Sequence, residues 1–210
     1  MKKTVRILIL SITVFALALT LSACAYLWGP SLTDNPFKPK SLAFSSNGDG
    51  TCSVTGIGSY TDADLVIPST SPDGDAVTGI GQGAFSGCTE LTSVTIPDSV
   101  TSIGDSAFYD CSGLTNVSIP TVAISSIPKT NLRSVVITSG TSIPGSAFAN
   151  CTNLTSITIP DSVTSIGNYA FRGCSGLTSV TIPDGVTSIG RDAFYNCSRL
   201  TSITDRKSVV

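Results

Sequence analysis

Five cysteines recur at one phase of a repeating pattern in this 210-residue chain, which has seven cysteines and no histidine. Thiols at a regular spacing can act as nucleophiles, metal ligands, disulfide partners or buried packing residues. Histidine is the commonest general base and metal ligand. Because the chain has none, a Ser-His-Asp or Cys-His catalytic site cannot form within it.

The residues beside the cysteines favour packing over chemistry. Each cysteine follows an Ala-Phe pair, as in "SAFYDC" from Ser106 to Cys111. A free cysteine in apolar surroundings behaves as a small hydrophobic side chain. We therefore expect an inert structural ladder, with no catalytic residue, no metal and no cofactor. The ladder comprises Cys88, Cys111, Cys151, Cys174 and Cys197 together with Phe85, Phe108, Phe148, Phe171 and Phe194.

Disulfides and a metal site are the alternatives for these cysteines. Stacked repeats would bring neighbouring Cα atoms within disulfide range, but parallel side chains keep the Cβ atoms near the repeat spacing. Metal sites usually combine C-x₂-C pairs from different loops, and the sequence contains no such pair.

A 23-residue repeat positions the ladder. "LTSVTIPDSVTSIGDSAFYDCSG" (91–113) recurs with small changes at 154–176 and 177–199. "LTSVTI" alternates apolar and polar residues and predicts a strand, "SVTSIG" predicts a second short extended segment, and the Ala-Phe-Cys stretch suits one helical or 3₁₀ turn. One unit cannot bury its apolar side chains alone, whereas stacked units can. The sequence therefore predicts a repeat solenoid, mainly parallel β with short helical or 3₁₀ turns.

The repeats span residues 62–204 and contain one irregular unit, 114–131. This unit lacks six residues, including the whole Ala-Phe-Cys turn, so we expect a gap in both ladders and a local bend or mobile spot. Residues 41–61 precede the repeats and include "NGDG" between two β-like runs, which predicts a β-hairpin. We expect this hairpin to cap the first repeat.

The N-terminus has the pattern of an export signal. Residues 1–23 combine a basic start with an apolar stretch, and "LSAC" (21–24) resembles the lipobox of bacterial lipoproteins. That resemblance implies cleavage before Cys24 and lipidation of Cys24, which would anchor the chain to a membrane. A plain signal peptide or a short membrane span are the alternatives. Residues 24–40 are rich in Pro and turn residues and predict a flexible tether.

The other end departs from the repeat. Residues 205–210 read "DRKSVV" where the pattern requires "IP", and a common sequencing adapter encodes these six residues. We hypothesise that the gene is truncated here and that this non-repeat tail is an artefact.

The repeats resemble the leucine-rich repeats of the BspA type. The matching positions are Leu91, Val94, Ile96, Pro97, Val100, Ile103, Gly104, Ala107, Phe108 and Cys111, with equivalents in the other full copies. The resemblance implies a horseshoe solenoid with a parallel sheet on its concave face. It also implies a surface protein that binds other proteins, host matrix or neighbouring cells.

The charge and the repetition of the sequence limit the classes of function that the chain can have. After residue 23 the chain keeps 9 Lys and Arg against 14 Asp and Glu, and it shows no basic patch for a nucleic acid. An enzyme is disfavoured because catalysis needs unlike groups in one pocket, whereas repeats present like groups in rows. We expect an exported lipoprotein, anchored at the cell surface or outer membrane, that acts as a protein-binding or adhesion module. The alternative is an envelope spacer without a specific ligand.

Arginine and tyrosine are favoured at protein interfaces, so we expect a binding surface among such residues, although exposed turn residues of a polar solenoid look the same. The candidates are Tyr109, Arg133, Tyr169, Arg172, Arg191 and Tyr195.

Overall fold

A computed structural model describes residues 41–205. The predicted signal peptide, the tether and residues 206–210 lie outside the described residues. Residues 41–205 form a parallel-strand solenoid of about seven turns, as the repeat pattern predicts. A regular rung contains a first strand, a second short strand and a turn before the next rung begins.

The strands, in chain order, are β1 (Ala43–Ser46), β2 (Thr51–Gly56), β3 (Asp64–Val66), β4 (Ala76–Ile80), β5 (Ser93–Thr95), β6 (Ser102–Ile103), β7 (Asn116–Ile119), β8 (Ser134–Ile137), β9 (Ser142–Ile143), β10 (Ser156–Thr158), β11 (Ser165–Ile166), β12 (Ser179–Ile182), β13 (Ser188–Ile189) and β14 (Ser202–Asp205).

The first strands of the rungs stack in parallel register. One sheet has the order β10-β8-β7-β5-β3, and β12 pairs with β14 in a second sheet. Residues of the same repeat phase face each other, so that Val94 pairs with Val117, and Val117 with Val135. The first-strand sheet continues through the irregular unit, because β7 and β8 pair over four residues.

The second strands are interrupted at the irregular unit. The sheet β1-β2-β4-β6 lies before the unit and the sheet β13-β11-β9 after it. A 3₁₀ helix, Thr121–Ser126, occupies this place in the irregular unit and buries Ala123 and Ile124. The bend or mobility expected there stays a prediction.

The N-terminal segment forms the predicted hairpin. β1 and β2 pair antiparallel across the "NGDG" turn, where Gly48 and Gly50 both have positive φ. β2 also pairs in parallel with β4. The hairpin therefore extends the sheet of second strands, and its role as a cap stays a prediction.

Phenylalanines stack along the core. Ring centroids lie 5.0 Å apart for Phe85 and Phe108, 5.5 Å for Phe148 and Phe171, and 5.2 Å for Phe171 and Phe194. Within residues 41–205 no such stacking joins Phe108 to Phe148. The missing turn of the irregular unit lies between these two residues.

The Ala-Phe-Cys stretch is a run of turns rather than a helical turn. Its first and fifth residues adopt the left-handed region, as Ser106 and Asp110 do at φ +57° and +55°. The fifth residue is Gly, Asp or Asn, the types that tolerate this conformation best. Alternate N–H groups of a turn then bond to the next turn, as Phe85 donates to the Ala107 carbonyl at 2.8 Å. Helical residues would direct these groups into their own helix.

Gly140 stands where the repeat pattern requires valine, and the irregular unit explains it. Its φ is +112°, and an added Cβ would lie 1.9 Å from the Thr121 Oγ1 atom. The Thr121 N–H donates to the Ser139 carbonyl at 2.9 Å, which holds the two segments together. Only glycine fits this contact.

We predict that Gly140→Ala lowers the free energy of unfolding by roughly 2–4 kcal/mol, since it adds left-handed strain to a clash with Thr121. Thermal unfolding followed by circular dichroism measures the effect. Gly74→Ala is the matched control, because Gly74 has φ +94° and nothing within 4 Å of its added Cβ. Equal losses in both variants would show that the Thr121 contact contributes nothing.

Candidate functional site

Five of the six candidate binding residues lie on one edge of the solenoid. We call this column of turns the turn edge; it consists of residues 82–87, 105–110, 145–150, 168–173 and 191–196. It carries Tyr109, Tyr169, Arg172, Arg191 and Tyr195. Arg133 lies elsewhere, immediately before β8 in the first-strand sheet.

Three of these residues form one cluster. The Arg172 guanidinium lies 5.5 Å from the ring centroid of Tyr169 and 5.6 Å from that of Tyr195. Tyr169 precedes Arg172 by three residues on the same turn. Tyr195 lies on the next turn, at the position equivalent to that of Arg172. A cation over an aromatic face at an exposed site contributes about 0.5–1 kcal/mol. These two contacts hold Arg172 in place on the surface, and we call Tyr169, Arg172 and Tyr195 the Arg172 cluster.

Arg191 and Tyr109 lie outside this cluster. The Nε atom of Arg191 is 3.4 Å from the Oδ2 atom of Asp192, with side chains 78% and 40% exposed, and such a pair contributes little to stability. Tyr109 is 68% exposed and is separated from the Arg172 cluster by the irregular unit. The structure thus brings together three of the six candidates.

The cysteine thiols bond to backbone carbonyls of the preceding turn. Cys111 donates to the Phe85 carbonyl at 3.1 Å, and Cys174 to that of Phe148 at the same distance. Cys197 repeats the contact with Phe171. The cysteines of the described part are free, and three of the five ladder members are buried. Each of these bonds also ties one rung to the next.

Burial makes most of these thiols poor nucleophiles. It raises the pKa of Cys88 and Cys197, and it raises the pKa of Cys111 to about 11 with a further contribution from the nearby Cys88. Only the thiolate attacks an electrophile or binds a metal. The ladder thiols with raised pKa are therefore protonated at neutral pH.

Cys151 differs because it follows the irregular unit. No thiol–carbonyl bond of the ladder type is formed by Cys151 in the described part, since the turn that would supply the carbonyl is missing. The neighbouring Cys174 thiol lowers the pKa of Cys151 against the effect of burial, and the ammonium group of Lys129 acts in the same direction as Cys174. Burial in turn lowers the pKa of Lys129.

Lys129 was not among the candidates from the sequence. "KTN" at 129–131 stands directly before Leu132, as "CTN" at 151–153 stands before Leu154. Aligning the irregular unit from its C-terminal end therefore places Lys129 at the ladder position of a cysteine. The hydrogen bond from Asn131 Nδ2 to the Ser112 carbonyl, at 2.8 Å, agrees with this alignment, because Asn153 donates in the same way to Thr130.

A cleft of about 530 Å³ opens beside the missing turn. One wall is the turn that contains Ser106, Phe108, Tyr109 and Asp110, and the other is formed by residues 125–128 together with Thr130 and Asn131. We call this the gap cleft. The cleft exists because the irregular unit has no turn between its 3₁₀ helix, Thr121–Ser126, and Lys129.

Neither a membrane span nor a metal centre emerges from residues 41–205. No helix in this range has the length and hydropathy needed to cross a membrane. No group of three or more Cys, Asp or Glu side chains in the same range is placed to hold a metal ion.

Comparisons with known proteins agree with the repeat pattern. Residues 65–139 and 141–210 match six copies of a family described as "BspA type Leucine rich repeat region". A leucine-rich cell surface protein from Faecalibacterium prausnitzii is 32% identical, with 82% of this chain and 55% of that chain covered and a TM-score of 0.52. A leucine-rich repeat protein from Eubacterium ventriosum is 26% identical, with 75% and 50% covered and a TM-score of 0.52.

The chain thus spans about half the length of these two solved structures. No curated protein gives a significant match.

We predict that Lys129→Met raises the melting temperature at pH 7 by about 2–4 °C. The partly buried ammonium group has a lower pKa in the folded state than its usual 10.5. Below the folded-state pKa its charge therefore opposes folding, and this opposition is relieved as the pH rises toward 10.5. The difference between the variant and the wild type should shrink at alkaline pH in calorimetry.

Arg191→Met is the control, because it removes an exposed positive charge from the turn edge and should leave the melting temperature unchanged. A lower melting temperature for Lys129→Met would mean that the ammonium group contributes net stability through Cys151.

Proposed function

The chain belongs to the BspA-type leucine-rich repeat family, and on this premise we propose that it is an exported, lipid-anchored surface protein that binds another protein without catalysis. Membership in this family of bacterial surface proteins is compatible with protein binding. The solved structure from Faecalibacterium prausnitzii is described as a cell surface protein. The partner we propose is a protein of the host matrix or of a neighbouring cell.

The Arg172 cluster is the observation that carries the binding proposal. Most of the solenoid surface repeats the same small polar residues from rung to rung, whereas this cluster places a cation between two aromatic rings. Arg and Tyr dominate the residues that contribute most to protein–protein affinity. Because both rings already hold the guanidinium, little side-chain entropy is lost when a partner docks.

An envelope spacer without a specific ligand is the competing function. The periodic polar surface would suit such a role, since residues 41–205 contain no second group of Arg and Tyr in cation–π contact. The two functions make different predictions about the Arg172 cluster, because a spacer needs its stability but not its side-chain identity.

The anchoring proposal depends on the residues around Cys24. A single acyl chain gives marginal membrane binding, whereas two or more anchor a protein stably. Acylation of Cys24 at both its thiol and its new amino group would supply that number. Residues 24–40 would then separate the repeats from the membrane.

We predict that the double substitution Arg172→Ala and Tyr195→Ala weakens binding to a responsive matrix or cell-surface protein at least about tenfold, the loss expected of a hot spot. Biolayer interferometry against a panel of purified matrix proteins measures the affinity. Arg191→Ala is the matched control, because it removes an exposed arginine from the same edge outside the cluster.

An equal loss in the control would show that net charge, not the cluster, governs binding. A wild-type chain that binds no member of the panel, nor any intact neighbouring cell, would favour the spacer.

We also predict that cells incorporate a palmitate analogue into the wild-type chain and that Cys24→Ser abolishes this labelling. Cys52→Ser should remain labelled. Labelling that persists in Cys24→Ser would contradict the lipoprotein proposal, and digestion of the repeats by protease added to intact cells would report surface exposure.

A further inference from the structure

The turns of the solenoid form a hydrogen-bonded column of their own. In the turns 82–87, 145–150 and 168–173, three alternate N–H groups donate to three carbonyl oxygens of the next turn. Gly83, Phe85 and Gly87 donate to Asp105, Ala107 and Tyr109 at 2.8–3.0 Å. The turns after the irregular unit repeat this pattern, as Phe148 donates to Ala170 and Phe171 to Ala193 at 2.7 and 2.8 Å.

The irregular unit breaks this column and leaves its donors without acceptors. The N–H groups of Ser106, Phe108 and Asp110 occupy the donor positions, yet none has a hydrogen-bond partner among residues 41–205. Across the missing turn, the carbonyl groups of the next turn, at positions 145, 147 and 149, likewise accept no hydrogen bond within that range.

The unpaired N–H group of Phe108 needs an explanation, because this residue is buried. Ser106 and Asp110 are exposed, but Phe108 between them is fully buried. A buried donor without a partner costs roughly 1–3 kcal/mol, and native proteins rarely leave one unpaired. All three donors belong to residues that line the gap cleft, so a molecule bound there would meet them.

The neighbouring rungs show which chemistry fits these donors. In the turns 82–87, 145–150 and 168–173 the same positions bond to the carbonyl oxygens of a peptide backbone, at two-residue intervals. A peptide segment offers such carbonyls on one side at the same interval. By comparison with the full repeats, the missing turn is six residues long. A peptide segment of about that length would therefore fit the space between the two walls of the gap cleft.

The side chains of the gap cleft add a charge preference. Asp110 lines it, and no Lys or Arg does. Tyr109, next to Asp110 in the chain, is 68% exposed, and the missing turn leaves no equivalent side chain on its far side along the stack. Farther along the stack, Arg172 and Tyr195 occupy this same position on adjacent turns, and the guanidinium lies 5.6 Å from the ring centroid. The pair shows that an arginine and a tyrosine at this position on neighbouring turns can be in contact. An arginine of the bound segment would therefore lie over Tyr109 and close to the Asp110 carboxylate.

We propose that the gap cleft binds a short peptide segment of a partner protein, which takes the place of the missing turn and presents an arginine to Tyr109 and Asp110. The segment accepts hydrogen bonds from the N–H groups of Ser106, Phe108 and Asp110 through alternate backbone carbonyls. The proposal deepens the proposed function, on which it rests for the partner being a protein, but it places this contact apart from the Arg172 cluster.

The chain supplies its own probe for this site. The turn at 167–176 carries arginine at the required position, so the blocked peptide acetyl-GNYAFRGSSG-amide, with serine in place of cysteine, mimics an incoming turn. It is added at about 1 mM, suited to a weak peptide complex, to the ¹⁵N-labelled full-length protein in mild detergent. Hydrogen exchange is then followed by NMR at single amides.

We expect the amide exchange of Ser106, Phe108 and Asp110 to slow by about tenfold or more, while amides of the Arg172 cluster remain unchanged. With glutamate in place of arginine, the peptide should slow exchange at these amides by less than a third of that factor, because the glutamate and Asp110 carry like charges. Tyr109→Ala should weaken protection by the arginine peptide to a similar extent.

A variant with "DSAFYD" inserted between Pro128 and Lys129 provides the second measurement. The restored turn should protect the three amides without any peptide and should abolish the response to the peptide. Thermal unfolding of this variant shows whether it is folded, and Tyr109→Ala tests the cleft independently if it is not.

Unchanged exchange at the three amides with the arginine peptide would overturn the proposal. Protection by a neutral oligosaccharide but not by the peptide would also overturn it, in favour of a glycan. If the peptide fails while Arg172→Ala with Tyr195→Ala still abolishes partner binding, the proposed function stands and this inference alone is wrong. If the peptide protects the three amides but the chain binds no matrix protein or neighbouring cell, the gap cleft binds peptides as inferred and the proposed partner is wrong.

Discussion

Every rung of this protein depends on hydrogen bonds that run along the stack. In the regular rungs the first strands, the second strands and the turns bond to the same element of a neighbouring rung, apart from β10 and β12, which lie in different sheets. The period of 23 residues must therefore keep three columns in register at once. The side chains follow from this constraint, because equivalent positions face each other. Phe171, stacked on Phe148 and Phe194, is one consequence of it.

The irregular unit shows that the three columns tolerate change differently. The first-strand sheet passes through it unbroken, since β7 and β8 keep their register over four residues. The second-strand sheet gives way to a 3₁₀ helix, and the turn is lost. Deleting residues from the side opposite a continuous strand therefore leaves the stack intact, while it interrupts the periodic surface at this unit. Both the gap cleft and the unusual environment of Cys151 arise from this single deletion.

Much of the fold follows from the repeat phase alone. Positions such as Val94, Phe108 and Cys111 recur beside the same neighbours, so their burial could be predicted without coordinates. The conformation of the turns could not, because Ser106 and Tyr169 share a left-handed position that neither residue type indicates. Gly140 is explained only by its contact with Thr121, which is 19 residues away in sequence.

The candidate binding residues were predicted as types rather than as an arrangement. Arg and Tyr are visible in the sequence, but the grouping of Tyr169, Arg172 and Tyr195 depends on the turn phase that stacks positions 172 and 195. Tyr109 shares that phase and still lies apart, because the missing turn separates it from the others. Lys129 was overlooked because the irregular unit was compared with the repeat from its N-terminal end, where the match stops before the lysine.

The burial of the ladder thiols has a consequence for the redox behaviour of the folded chain. Disulfide exchange begins with attack by a thiolate, and the thiols of Cys88, Cys111 and Cys197 resist ionisation. A protein with six free cysteines among its described residues would ordinarily require a reducing compartment or an isomerase to avoid wrong pairings. Here burial within the stack keeps the thiols of Cys88, Cys111 and Cys197 protonated, so in the folded chain these three thiols resist disulfide exchange in oxidising and reducing surroundings alike.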